Sequence, residues 1–326
     1  MFDFSLDKST DDAQFDSVVK WDMLILGAGP GGLNAALYAA RKGMKVGVIT
    51  DELGGQLHNT TTIDNYLGFP NIQGHELSDK LVDHVQNHDV PIMKSTRLKS
   101  IQHLDPDFEV TTENNRSFKA KTVLLSMGGT PRKLGVTGEK TFANKGVSYC
   151  AICDAPFYEG KDVIIAGGGN AAAEAVIDMA HWARRVTVVH RSEWRADKVL
   201  LDKLKTIENL EIRLQTQINE VYGDDIIKGV KAYDKQKDEV IDIPTQGLLI
   251  EIGTVPNTHF VADMVTTNDK GEVLVDDMQM TNLPGLYAVG DVVAQPFKQI
   301  VISAGEGAKA ALAANQYLNK NYKENE

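Results

Sequence analysis

The chain has 326 residues, 34 lysines and arginines against 45 aspartates and glutamates, and a formal charge of −11. That charge opposes phosphate backbones and anionic lipid surfaces, so neither nucleic acid nor a membrane is expected as a partner. Two cysteines supply neither a disulfide framework nor a four-thiolate zinc site; hydrophobic residues at 42% argue against wholesale disorder, and the length suits about two domains.

Residues 1–20 carry five aspartates and no apolar signal core, so they are read as an N-terminal extension of a cytoplasmic protein. Met23 to Ala40 is free of charge and approaches the length of a membrane span. Gly27, Gly29, Pro30, Gly31 and Gly32 would break such a helix near its start. A strand Met23–Leu26, a glycine turn, a helix to about Lys42 and a strand Lys45–Ile49 fit better. Gly27, Gly29 and Gly32 match G-x-G-x-x-G: the first glycine permits the tight turn, the second lets backbone approach a pyrophosphate, and the third allows close helix packing. Asp51, at the end of the second strand, is placed to accept ribose hydroxyls or else is a solvated turn acid, and Glu52 competes for the role.

Thr122–Ser126 is an apolar strand ending at Gly128-Gly-Thr-Pro131. Downstream, Val163–Ala166, the turn Gly167-Gly-Gly-Asn-Ala-Ala172, an alanine-rich helix to about Ala183 and the strand Val186–Val189 repeat the first unit. Gly167, Gly169 and Ala172 give G-x-G-x-x-A, and the second strand ends at His190-Arg191 rather than at an acid. Arg191 and Arg195 are suited to a 2′-phosphate, favouring NADPH over NADH, unless they are ordinary surface cations. A third match, Gly305, Gly307 and Ala310, follows no strand and reads as helix packing at the start of a closing helix, Ser303–Leu318. Leu248–Ile252 and Leu286–Val289 are further strands, and Gly253-Thr-Val-Pro256 is the second of two crossings. The expected fold is α/β, two Rossmann-like dinucleotide-binding domains with the second inserted in the first. The boundaries are 21–127 and 253–326 for the domain carrying the first glycine turn and 128–252 for the inserted domain carrying the second.

Both cysteines fall in Cys150-Ala-Ile-Cys153-Asp154. A C-x-x-C pair closes a small disulfide ring and reopens to two thiols without rearranging the chain. The competing reading, half a metal site, needs two further ligands from the eight histidines, and no metal is expected. Asp154 is either a proton donor for exchange or the cap of a following helix. A nicotinamide hydride and a dithiol both carry two electrons, and a flavin in the first nucleotide site would couple them.

The Gly27 fingerprint, Gly54-Gly-Gln-Leu57, the Cys150–Asp154 run, Gly167–Ala172 and Leu286-Tyr-Ala-Val-Gly-Asp291 together resemble the low-molecular-weight thioredoxin reductase family, from about Trp21 to Leu318. Pro296–Lys309 is also similar to the catalytic portion of the flavoprotein component of alkyl hydroperoxide reductase. In that relative a thioredoxin-like extension precedes the catalytic portion, so a partner of that kind is expected here on a separate chain. The resemblance implies FAD on Gly27, Gly29, Gly32, Gln56, Asn65 and Asp291, with Gln299 and Ile300 near the ring system. It implies NADPH on Gly169, Asn170, Ala172, Glu174, His190, Arg191 and Arg195. It further implies that Cys153 faces the flavin, Cys150 attacks the disulfide of thioredoxin or a thioredoxin-like protein, and Asp154 is the general acid/base, in a homodimer whose nicotinamide domain swivels.

Two positions depart from the family pattern. The family's His-Arg-Arg, three residues, Arg becomes His190-Arg-Ser-Glu-Trp-Arg195, with Ser192 in place of a guanidinium and one residue fewer. The loss is worth about 1–3 kcal/mol of 2′-phosphate affinity and leaves NADH or another donor as alternatives, as it leaves a peroxiredoxin- or glutaredoxin-type partner or a flavin dithiol oxidase. Ala171 stands where Thr or Ser is usual.

Overall fold

The computed structural model describes Phe15 and residues 19–59 and 62–322. Most of the N-terminal extension therefore lies outside the described residues. Phe15 is buried, with its ring centroid 4.9 Å from Trp21 and 5.5 Å from Phe118. The protein is a mixed α/β chain that divides into two compact units, residues 1–130 with 255–326 and residues 131–254.

The first unit begins with β1 (Trp21–Ala28), α1 (Pro30–Arg41) and β2 (Val46–Leu53). Met23 to Leu26 are all fully buried, the signature of an interior strand covered on both faces. Pro30 opens α1, where its missing N–H costs no helical bond. α2 (Gly74–Gln86) leads to β3 (Ile92–Met93), β4 (Leu98–His103), β5 (Phe108–Thr112) and β6 (Ser117–Leu125). The sheet runs β3-β2-β1-β6-β5-β4, with β1 parallel to both β2 and β6.

The second unit holds β7 (Val147–Ser148), α3 (Ala151–Asp154), β8 (Asp162–Ala166), α4 (Asn170–Met179), β9 (Arg185–Val189) and β10 (Leu210–Arg213). An antiparallel meander follows, β11 (Thr216–Gly223), β12 (Ile227–Asp234) and β13 (Glu239–Pro244), then β14 (Gly247–Ile250). The five-stranded sheet is parallel throughout, in the order β7-β14-β8-β9-β10. Its apolar face packs on Ala172, Ala173, Val176 and Met179 of α4.

The chain then re-enters the first unit. β15 (Leu286–Ala288) pairs in parallel with the second half of β6, beside the antiparallel pairing of its first half with β5. The closing helix α5 (Ile300–Asn321) packs along α1, where a Cβ on Gly307 would lie 2.0 Å from the Gly31 carbonyl oxygen. The third glycine motif is therefore a helix-packing contact. No helix among the described residues is long and apolar enough to cross a membrane.

Candidate functional site

The turn between β1 and α1 is crowded at its ends and open in the middle. Gly27 has φ of +107°, and a Cβ there would meet the Ser126 carbonyl oxygen at 2.5 Å. A Cβ on Gly32 would lie 2.1 Å from the Gly27 carbonyl oxygen, whereas one on Gly29 would meet nothing within 4 Å. The Gly167 turn repeats this pattern. Gly167 is closed by the Glu251 carbonyl oxygen at 2.3 Å and Ala172 Cβ at 2.8 Å, and Gly169 faces open space. At both turns the middle backbone is left accessible at a helix N-terminus, the geometry that admits a pyrophosphate.

Around the first turn, tertiary folding joins residues far apart in sequence. Gln56 Nε2 donates to Asp291 Oδ2 and to the Gly129 carbonyl, each at 2.9 Å. Asn65 Nδ2 donates to Gln299 Oε1 at 3.2 Å, and Ile300 packs against the cluster of Leu57, Ile63, Ile72 and Leu77. Burial pushes the Asp291 carboxyl up, against the opposing pull of Lys298 and the Gln56 amide. Glu306 is pushed up by burial as well, and its Oε2 accepts the Gly290 N–H at 2.7 Å, fixing the residue before Asp291. Asp51 stands apart from this group: Arg97 Nε donates to its Oδ2 at 2.9 Å on an exposed face.

In the second unit Cys150 and Cys153 form a disulfide at the start of α3. The Cys153 N–H donates to Cys150 Sγ at 3.3 Å. Ser148 Oγ donates to Asp154 Oδ2 at 2.5 Å and accepts the Cys150 N–H at 3.1 Å, so one hydroxyl ties the acid to the first cysteine. Asp154 makes no side-chain cap to the turn that follows, and its Oδ1 is buried with no partner. Burial holds its pKa above the usual carboxylate range, with the Ser148 bond pulling the other way. Tyr149 is anchored by donating to Glu139 Oε1 at 2.9 Å; the same carboxylate accepts the Leu134 and Gly135 N–H groups at 3.0 and 2.7 Å.

At the end of β9 the His190 ring covers Gly168, and Ser192 Oγ lies 3.0 Å from its Nε2. Burial, reinforced by Arg195 and Arg191, lowers the His190 pKa and favours the neutral ring. Arg195 N–H donates to the Gly168 carbonyl at 2.7 Å, and Asn170 and Asp197 exchange two bonds of 2.8 and 2.9 Å. The loop thus folds back onto the turn, with the Arg191 and Arg195 side chains exposed. Ala172 is buried and Glu174 exposed on α4. No cluster of three or more His, Cys, Asp or Glu suited to a metal occurs among the described residues.

Sequence reasoning missed Ser148, Glu139 and Glu251. Glu251 interrupts the apolar run Leu248 to Ile252 with a charge, a signal that was available. Its Oε1 accepts the Ala151 N–H at 3.1 Å, the first amide of α3.

A family model described as pyridine nucleotide-disulphide oxidoreductase matches residues 21–312. The chain is 40% identical over 315 residues to the F subunit of alkyl hydroperoxide reductase in Staphylococcus epidermidis, covering 96% of this chain but 62% of that protein. It thus spans less than two thirds of the length of that curated relative. Among solved structures, thioredoxin reductase from Streptococcus pyogenes is 36% identical with a TM-score of 0.89, covering 93% of this chain and 100% of that one. Thioredoxin reductase from Giardia duodenalis is 28% identical with a TM-score of 0.88, over the same shares.

Proposed function

The chain belongs to the pyridine nucleotide-disulphide oxidoreductase family, a family of flavoprotein disulfide oxidoreductase enzymes, and we propose that it reduces thioredoxin or a thioredoxin-like protein disulfide with electrons from NADPH. The observation that carries this reading is the Cys150–Cys153 disulfide beside a half-buried acid whose Oδ1 is shut from solvent, in a chain with two open-centred dinucleotide turns. The first turn fits FAD: Gly29 leaves room for a pyrophosphate, and the Gln56–Asp291 and Asn65–Gln299 pairs supply polar groups beside it. FAD, when bound, accepts a hydride and passes two electrons to a disulfide.

The residues of this chain bind, orient and move protons. Gly169 and the α4 N-terminus receive the nicotinamide dinucleotide's pyrophosphate, and Arg191 and Arg195 its 2′-phosphate. Cys153 would be the cysteine that takes the flavin's electrons, and Cys150 the one that attacks the partner's disulfide. Asp154, held protonated to higher pH by burial, donates to the departing thiolate and recovers the proton afterwards. The working unit is a homodimer.

A second reading keeps the chemistry and changes the partner to a peroxiredoxin system, with NADH as donor. It is favoured by the likeness to the F subunit of alkyl hydroperoxide reductase and by Ser192 in place of an arginine. Initial rates with NADPH and NADH, each with a thioredoxin and with a peroxiredoxin system, separate the two. The first reading expects NADPH and thioredoxin to be preferred by at least about tenfold; preference for NADH and the peroxiredoxin system overturns it.

A further inference from the structure

Glu251 lies at the end of β14, half-buried, with its backbone N–H donating to the Ala166 carbonyl and its side chain turned to α3. Its Oε1 takes the N–H of Ala151, whose nitrogen is bonded to the carbonyl carbon of Cys150. The carboxyl is thus one hydrogen bond and four covalent bonds from the Cys150 sulfur. That sulfur in turn accepts the Cys153 N–H, so amides of one short turn reach both the carboxyl and the sulfur. A carboxylate this near a sulfur opposes its ionisation, whereas a neutral carboxyl or an amide does not. The interaction is reciprocal: a thiolate makes the carboxyl harder to ionise.

We propose that Glu251 is a positioning residue for the redox pair, which sets the acidity of the Cys150 thiol through Ala151 and exchanges a proton as the disulfide opens and closes. Opening the Cys150–Cys153 bond consumes two electrons, supplied by the reduced pyridine nucleotide. One proton converts one sulfur to a thiol, the other sulfur is left as a thiolate, and a second proton goes to the Glu251 carboxylate. On attack by Cys150 the two electrons pass to the partner's disulfide, the internal disulfide reforms, and the protons of the remaining thiol and of Glu251 go to the partner's two sulfurs. The charge change at the turn is thereby held near zero.

The groups around Glu251 leave it able to do this near neutral pH. Burial pushes its pKa from 4.5 to about 7, the Ala151 N–H from α3 opposes the rise, and the Glu174 carboxyl on α4 adds to it. Asp154, on the same turn as Ala151, is raised by its own burial but is bonded to Ser148 instead. The two acids therefore reach the cysteines by different routes. The inference requires the disulfide alone and is independent of which nicotinamide or protein partner is used.

The test uses the full chain with Cys153→Ser, which leaves Cys150 as its sole thiol. The rate of iodoacetamide alkylation is followed from pH 4 to 10 with Glu251 present and with Glu251→Gln. Glutamine keeps the oxygen that accepts the Ala151 N–H and removes the charge. The expected result is a two-step profile for the parent and a single step for Glu251→Gln, with the Cys150 pKa lower by about one unit. Superposable profiles mean that Glu251 is structural only, and overturn the proposal. A second measurement needs no substitution at Glu251: carboxyl NMR of the unsubstituted chain is expected to give a higher Glu251 pKa in the dithiol than in the disulfide state. Equal values overturn it as well.

Discussion

The two glycine turns share a backbone pattern and differ in what encloses them. The first is closed most tightly by main chain, the Ser126 and Gly27 carbonyl oxygens, with Ser126 Oγ beside Gly32, and Gly27 needs a left-handed φ. The second is walled partly by side chains, with Ala172 Cβ against Gly167 and the His190 ring over Gly168. Their surroundings differ in sign as well. Asp291 and Glu306 lie near the first, and Arg191 and Arg195 follow the strand beside the second. On the proposed function, one supersecondary unit would serve two roles, a seat for a resident dinucleotide at the first turn and a seat for one that comes and goes at the second.

Substituting the open middle glycines breaks this comparison most sharply. A Cβ at Gly29 or Gly169 meets no protein atom, so both Ala variants are expected to fold with melting temperatures close to the parent's. Gly29→Ala is expected to cut flavin retention at least about tenfold, because the methyl occupies the pyrophosphate approach. Gly169→Ala is expected to keep the flavin and raise the nicotinamide KM by a similar factor. Flavin absorbance per protein and steady-state kinetics read the two effects; loss of flavin in both variants would erase the proposed division of roles.

A smaller effect sharpens the charge difference. Arg191→Gln is expected to raise the KM for NADPH by about tenfold, the scale of one charged hydrogen bond, and to leave that for NADH unchanged. An equal rise for both nicotinamides would move Arg191 from phosphate recognition to loop structure.

Much of this architecture was legible because it is local. The strand–turn–helix units follow from apolar runs broken by glycines at fixed spacing, and Cys150 and Cys153 are close enough in sequence to pair within one turn. What escaped is set by distant partners. Gln56 meets Asp291 across 235 positions, and Asn65 meets Gln299 across 234. No periodicity carries such a pairing. Asp51, read as a ribose ligand or a turn acid, is engaged by Arg97, a residue on the connection to β4. Asp154 was open between cap and acid, and the Ser148 bond with the absence of a cap now sets it beside the cysteines. The charge of Glu251 within an apolar run marks the position, but its role escapes because a strand-end acid looks like a solvated one until the fold brings Ala151 to it.

The most direct test of the electron path is an anaerobic NADPH titration of the FAD-loaded protein, with flavin absorbance and free thiols followed together. The account expects about two equivalents of NADPH per chain, one opening the disulfide and one bleaching the flavin, because each couple takes two electrons. Two new thiols are expected to appear, and the Cys150→Ser, Cys153→Ser double variant is expected to take about one equivalent. Identical stoichiometry in the parent and the double variant, with no thiols formed, would contradict it.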